Sequence, residues 1–392
     1  MSKPAIVVIA YNREESLKRL LDYIDQADYS SFDGIDLVIS IDYWKKNNPC
    51  YRIADEYNWR FGRKRVIKHK KNLGLKEHIL LCGDMTETFG SIILLEDDII
   101  VSPAFYKYAA AACEYYKCHE EVMGVGLYSS KQYGATEYPF EPEKNGKDTY
   151  YEKWVVTWGE CFNRDRWREF REWYSRNSGE LREIADVPHY ITHWEKSWSK
   201  YLAYYMNERN LFFVSPYESY SSNYHDKGIH QEDSNDSAWQ TVMQLSASDS
   251  YDFSNLGNAI KYDSFHERMD LEHFRKILRI ETDPVLDLYG QTQHLRRRRY
   301  CLSTRVLPYR IVKSYGLVLH PIEENVFREV PGKGIYLYDM SDKCRNRTTT
   351  TYEQKHRMLK YYYPLIGYRS LIVCAIFDIK GKILNKLSRY IK

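Results

Sequence analysis

Residues 91–105 read SIILLEDDIIVSPAF, and the rest of the chain is organised around this stretch. Ile92, Ile93, Leu94 and Leu95 form a short, β-branched-rich run of the kind buried on both faces of a sheet, with Gly90 before it and Ser102-Pro103 after it as punctuation. Three consecutive acids, Glu96, Asp97 and Asp98, close that run. Charge at the end of a buried strand is unfavourable unless it is paired or coordinated. In open α/β sheets the ligand crevice lies outside the carboxyl ends of the strands, where oxygen ligands suit a divalent cation that can bridge a diphosphate. The other reading of the same acids is a salt-bridged turn.

Upstream, residues 4–11 (PAIVVIAY) predict a first strand, and Leu17, Leu20, Leu21 and Ile24 predict the helix that follows. Asn12 reads as the N-cap of that helix, and Arg13 stands in the loop where it can reach a phosphate or a base. Residues 37–41 predict a second strand ending at Asp42, and residues 65–68 a third, followed by the turn Asn72-Leu73-Gly74 and a helix through Leu80, Leu81 and Met85. This alternation predicts a βαβαβ half with a mainly parallel sheet. No G-x-G-x-x-G or P-loop occurs, which argues against a sugar nucleotidyltransferase and its glycine-rich triphosphate loop.

The segment LEDDIIVSPAFYKY (residues 95–108) resembles the metal-binding Asp-x-Asp-type (DXD) segment of GT-A glycosyltransferases. The likeness is to the N-acetylglucosaminyltransferase I family, the related O-mannose N-acetylglucosaminyltransferases and bacterial polysaccharide glycosyltransferases, and it extends over residues 5–245. It implies an α/β fold of GT-A type, Rossmann-like with a mainly parallel mixed sheet and flanking helices, followed by a C-terminal α+β extension. It also implies a metal-dependent, inverting glycosyltransferase in surface polysaccharide synthesis, of capsule or lipopolysaccharide. Such an enzyme moves a sugar, by resemblance N-acetylglucosamine, from a UDP-sugar to a glycan or lipid-linked saccharide.

On that resemblance Asp98 coordinates Mn²⁺ or Mg²⁺, and Glu96 and Asp97 lie close to the donor's sugar and ribose. Tyr11, Asn12 and Arg13 line the nucleotide pocket. Asp42 contacts base or ribose, with a turn-forming Asp as the alternative. The NLGLKEHIL segment (residues 72–80) lets backbone approach the donor while Lys76 faces the diphosphate, the alternative being a solvated surface lysine. Trp158, in WVVTWGECFN (residues 154–163), lies against the donor and acceptor sugars or, on the plainer reading, in the core. HWEKSW (residues 193–198) begins a helix and is similar to the family's Trp-Asp-Asp-Trp, whose first acid is the catalytic base. Glu195 is its nearest match, although Glu replaces Asp and the second Trp lies one residue further on; Glu160 is the second candidate. YESYSSNYHDKGIHQ (residues 217–231) is similar to a bacterial Ser-Asn-x-Gly-x-His loop, by which His230 completes the metal or diphosphate site near Ser222 and Asn223. His225 competes for that role.

A chain of 392 residues is long enough for two domains or one domain with an extension. Residues 1–250 are assigned to catalysis, 251–350 to an accessory region and 351–392 to a basic helical segment. A net charge of +3 gives no global support for a nucleic-acid partner. Eight cysteines without a C-x-x-C pair, and no charged-then-apolar leader, suggest reduced thiols in a cytoplasmic protein. Thirty-seven tyrosines suit sugar stacking and core packing alike, so a carbohydrate-binding protein without catalysis is the non-enzymatic alternative. Residues 131–153 are polar and predict a loop closing over the donor, and the run Arg296-Arg297-Arg298-Arg299 reads as a solvated face or an acidic-ligand patch. LIVCAIF (residues 371–377) is shorter than the roughly 20 residues of a spanning helix. With Lys380, Lys382, Lys386, Arg389 and Lys392 it resembles an amphipathic basic helix contacting a membrane peripherally, or else a helix docked on the core.

Overall fold

The acid-tipped strand lies beside the first strand of the chain. In the computed structural model, which describes residues 2–133, 138–194, 197–224, 226, 239–345, 351–365, 367, 369–377, 379 and 380, β1 (Ala5–Ala10) pairs in parallel with β2 (Leu37–Ile41) on one side and β4 (Ser91–Glu96) on the other. β3 (Lys64–Lys68) extends the sheet beyond β2, giving the order β3-β2-β1-β4. β1 and β2 are buried along their whole length, as uninterrupted apolar runs require. The crossover helices are α1 (Glu14–Asp25), α2 (Pro49–Glu56) and α3 (Leu75–Gly83), and α1 buries the predicted stripe Leu17, Leu20, Leu21 and Ile24. Because the chain steps outward from β1 to β3 and then returns across β1 to β4, the topological switch point falls between β1 and β4.

Beyond β4 the sheet becomes mixed. The strand Glu160–Asn163 inserts antiparallel between β4 and β6 (Val122–Gly126), and Phe212–Pro216, Thr149–Glu152 and Lys261–Tyr262 complete nine strands. β5 (Ile99–Val101) leaves this sheet and pairs with Ser221–Asn223. The expected α/β architecture, mainly parallel with flanking helices, is therefore present. Residues 131–153 correct the loop expectation, since Thr149–Glu152 is a wholly buried strand held between Phe212–Pro216 and Lys261–Tyr262. Burial on both faces removes the apolar-polar alternation by which a strand is recognised. α3 meets the helix Arg164–Asn177 so closely that a Cβ at Gly83 would fall 1.9 Å from the Trp167 ring.

A second sheet, with strand order Val285–Asp287, Tyr300–Ser303, Ile335–Lys343, Tyr309–Tyr315, forms most of the C-terminal extension. The strand before residues 317–319 is Tyr309–Tyr315, whose middle residues are largely exposed. The core of this sheet takes in Tyr138, Phe140, Tyr150 and Tyr217 from the first half of the chain. The arginine run is an exposed face, as one of its two readings has it, and three of its members also make ion pairs there: Arg297 with Asp186, Arg298 with Asp283, and Arg299 with Glu281 and Asp339. Many tyrosines are structural, since Tyr106, Tyr108, Tyr116, Tyr150, Tyr151, Tyr262, Tyr289 and Tyr338 are fully buried. All eight cysteine thiols are free, and no helix among the described residues is long and apolar enough to cross a membrane.

Two carboxyls are enclosed where the sheets meet. Glu152 accepts from Ser215 Oγ, and Glu323 is 1% exposed with neither carboxyl oxygen hydrogen-bonded. Burial pushes each up to about 7. Since their folded values exceed the unfolded value, the native state holds extra protons; their stabilising contribution is complete below about pH 4.5 and is lost as pH rises through 7. Urea unfolding should therefore give a lower free energy at pH 8 than at pH 5, and Glu323→Gln should flatten that slope; an unchanged slope would show that Glu323 does not titrate in this range.

Candidate functional site

Register delivers the acids to one place. Glu96 pairs with Ile9, so the loop after β1 and the acidic turn after β4 leave the sheet side by side. Arg13 closes the gap: its Nη1 donates to Asp98 Oδ2 at 2.9 Å and its Nη2 to Asp97 Oδ1. Asp97 is buried, but the side chains of Arg13 and Asp98 remain 25% and 19% exposed, so the bridge lies at an accessible rim. Glu160 pairs with Leu94 across the antiparallel ladder, which puts its side chain on the same face as Leu94 and Glu96.

Arg13 thus pairs with two of the four carboxyls gathered at this end of the sheet. Burial, together with Asp98 and Asp97, pushes Glu96 up to about 8, and burial pushes Asp97 up to about 6 against the pull of Arg13. Burial and the neighbouring Glu96 hold Glu160 well above the usual carboxylate range. An excess of oxygen donors is the chemistry that a hard divalent cation requires, and the donor set fits Mn²⁺ or Mg²⁺. The acids do not by themselves bring three ligand atoms into one cluster; among the described residues only the exposed Glu183, His189 and His193 do so. A cation at the acidic turn must therefore complete its shell with ligand or water oxygens.

The remaining candidates sort by what holds them. The Tyr11 hydroxyl accepts from Asn72 Nδ2 at 3.3 Å and its carbonyl accepts from Asn48 Nδ2 at 2.5 Å, placing Tyr11 between the loops after β2 and β3. Asn12 is half-buried but is not the N-cap of α1; Arg13 holds that position without a side-chain cap, since a guanidinium has no acceptor for the helix N–H groups, and its side chain donates to the acids instead. Asp42 is taken up by backbone: it accepts the N–H groups of Tyr43 (2.7 Å), Leu73 (2.9 Å) and Gly74 (3.0 Å). That corrects the turn after β3, whose N–H groups serve Asp42 instead of standing open to a donor. Gly74 begins α3 at φ +77°, a conformation that favours glycine, although nothing lies within 4 Å of where its Cβ would be. The Lys76 ammonium lies 5.4 Å from the centre of the Tyr201 ring, and among the described residues no ion pair joins it to the acids.

Trp158 is half-buried and packs edge-to-face on Tyr128 (4.6 Å) and Trp239 (5.9 Å), two aromatics that no motif in the sequence had marked. Ser222 and Asn223 lie beside the acids as expected, since their strand pairs with β5 and the Tyr224 N–H donates to the Asp98 carbonyl at 2.8 Å. His225 and His230 lie outside the described residues. Further along, Asp226 accepts from Ser16 Oγ at 2.6 Å and pairs with Arg19, whose guanidinium also covers the Tyr224 ring at 3.5 Å; this clamp on α1 was not anticipated. Glu195 also lies outside the described residues. The helix expected to open at His193 begins instead at Ser199, with Trp198 as N-cap, and His193 follows the short helix His189–Thr192.

No protein-family model matches the sequence, and a search of curated proteins finds no relative. Solved structures with partial likeness include S. aureus TarS 1-349 in complex with UDP-GlcNAc, at 12% identity and a TM-score of 0.39 over 59% of this chain and 60% of that one. The mannosyltransferase PcManGT from Pyrobaculum calidifontis, in complex with GDP-Man and Mn²⁺, is 15% identical with a TM-score of 0.30, over 47% of this chain and 50% of that one. The chain thus spans about three-fifths or less of either neighbour, and its activity must be argued from its own residues.

The Asp42 carboxylate is the support of the loop that adjoins Tyr11. Asp42→Ala should lower stability by about 2 kcal/mol, the scale for hydrogen bonds to a buried charged group. It should also speed amide exchange at Leu73 and Gly74; unchanged exchange there would show that the turn holds without it.

Proposed function

We propose that the chain is a metal-dependent, inverting glycosyltransferase of GT-A type that takes a UDP-sugar, with UDP-N-acetylglucosamine the first donor to try. The observation that carries the reading is the acid-rich, accessible rim at the β1/β4 switch point, where Arg13 pairs with Asp97 and Asp98 and register adds Glu96 and Glu160. Mn²⁺ or Mg²⁺ held through Asp98 would supply neutralisation of the diphosphate leaving group. Tyr11 and the half-buried Trp158 are assigned to nucleotide and sugar contact, Asp42 to holding the nucleotide loop, and Lys76 to the donor side through the start of α3.

In the transfer, an acceptor hydroxyl oxygen bonds to the anomeric carbon while the bond from that carbon to the diphosphate oxygen breaks, its electron pair leaving with UDP. A carboxylate within hydrogen-bond reach of the hydroxyl must take the proton. Burial and Glu96 hold Glu160 well above the usual carboxylate range, which suits it poorly to that task, so we assign the base to Glu195 and keep Glu160 as the second candidate. His230 is proposed to join the metal or diphosphate site, from a chain segment whose preceding residue Tyr224 is already bonded to Asp98.

UDP with Mn²⁺ should raise the melting temperature, and Asp98→Ala should abolish the metal-dependent part of that rise. Stabilisation by UDP that ignores both metal and mutation would remove the metal-bridge mechanism. Glu195→Gln should reduce sugar transfer by roughly 100-fold or more, the usual scale for a general base; full turnover in that variant would move the role to Glu160.

The acceptor is proposed to be a glycan or lipid-linked saccharide of a surface polysaccharide, assembled at the cytoplasmic face of a membrane that the C-terminal segment contacts. Residues 369–377 are helical, and Leu371, Ile372, Val373, Ile376 and Phe377 are all exposed, so the segment is not docked on the core. Nor is it amphipathic as expected: seven consecutive apolar residues cover every side of two helical turns. One protein groove would cover a single side, whereas the hydrocarbon edge of a leaflet covers all of them, and the surrounding lysines and arginines match anionic lipid. The protein should sediment with vesicles containing phosphatidylglycerol, weakly with phosphatidylcholine alone, and not at all as the Ile372→Asp/Phe377→Asp variant; equal recovery of that variant would exclude this contact.

A further inference from the structure

The bridge from Arg13 to Asp97 and Asp98 raises a problem that the metal reading has to solve, because the guanidinium already holds the carboxylates a cation needs. We infer that Arg13 is a resident counter-cation that trades places with the incoming metal. Without ligand it spans Asp97 and Asp98; with metal and nucleotide present it gives up Asp98 and turns to the diphosphate. The inference rests on the metal-dependent reading above and adds to it a specific role for this loop arginine.

Three observations support the exchange. The two contacts come from separate nitrogens, Nη1 to Asp98 and Nη2 to Asp97, so one can be released while the other holds. The side chain is 25% exposed and leaves from the position immediately before α1, where rotation disturbs no helical hydrogen bond. Finally, a guanidinium presents a planar fork of donors that fits phosphate oxygens as readily as carboxylate oxygens. The same side chain is therefore an obstacle to metal alone and an aid to metal with nucleotide. Binding of either ligand should favour the other, because the nucleotide gives the displaced guanidinium a new partner.

The test separates Mn²⁺ affinity from UDP affinity. Mn²⁺ binding is followed by electron paramagnetic resonance on the nucleotide-free protein, and UDP binding by calorimetry at saturating Mn²⁺. Arg13→Ala should bind Mn²⁺ alone at least about tenfold more tightly, because a like charge has been removed from the site. It should bind UDP at least about tenfold more weakly. Arg13→Lys, which keeps a cation but loses the fork, should stay near wild type for Mn²⁺ and fall between the two for UDP. A purely structural arginine would shift both affinities in the same direction or neither, and either result overturns the exchange. Asp98→Asn is the control for the underlying reading: if it too leaves Mn²⁺ affinity unchanged, the metal site itself is wrong; if it abolishes Mn²⁺ binding while Arg13→Ala gains nothing, only the exchange falls.

Discussion

One guanidinium set against four carboxyls is the constraint on which the rest of this rim depends. Two opposite unit charges about 4 Å apart attract by about 4 kcal/mol at the effective dielectric of a protein surface, and like charges repel on the same scale. Arg13 can satisfy Asp97 and Asp98, but nothing among the described residues does the same for Glu96 and Glu160. Burial first, and repulsion from the neighbouring acids second, displaces Glu96 and Glu160 upward. The rim is thus held short of positive charge, and it is open enough for positive charge to arrive.

The sheet produces this arrangement by register. Pairing of Ile9 with Glu96 brings the turns after β1 and β4 together, and pairing of Glu160 with Leu94 adds a fourth acid from a strand running the other way. β2 supplies Asp42, which spends its carboxylate on the backbone of the turn after β3 and so fixes where Asn72 meets Tyr11. Each loop at this end is therefore tied to a neighbour by a side chain at a strand terminus: Arg13 ties β1 to β4, and Asp42 ties β2 to β3. A site assembled this way is as rigid as the sheet that carries it, which is what positioning of a reactive ligand demands.

Much of this was legible because it is local. Apolar runs of five or six residues ending in polar groups mark β1, β2 and β4, and the spacing of Leu17, Leu20, Leu21 and Ile24 marks α1. What escaped was set by distant partners. Thr149–Glu152 has no strand-like alternation because it is buried throughout, and the strands it pairs with, Phe212–Pro216 and Lys261–Tyr262, come much later in the chain. Asp42 carries the residue type of a ligand contact, yet its partners are three backbone N–H groups that composition cannot reveal. Asn12 has the better capping chemistry, but the helix starts one residue later because Arg13 is drawn across to the acids. Trp239 and Asp226 join the site only through the path of the chain after Asn223, for which the sequence offers no periodic signal.

The plain alternative, a salt-bridged turn that merely ends a strand, has to explain why so many acids are kept. A buried ion pair adds little net stability over apolar side chains of similar volume, because desolvation offsets attraction. Closing β4 on a neutral turn would therefore be no weaker, and would avoid the carboxyl burial and the added repulsion that raise Glu96 and Glu160. A turn that needed only Arg13 for balance would be served by one acid or two. A cluster of buried, upward-shifted carboxyls at an accessible rim is an arrangement found at functional sites more than at plain turns, and that is the argument for reading these acids as more than a strand end.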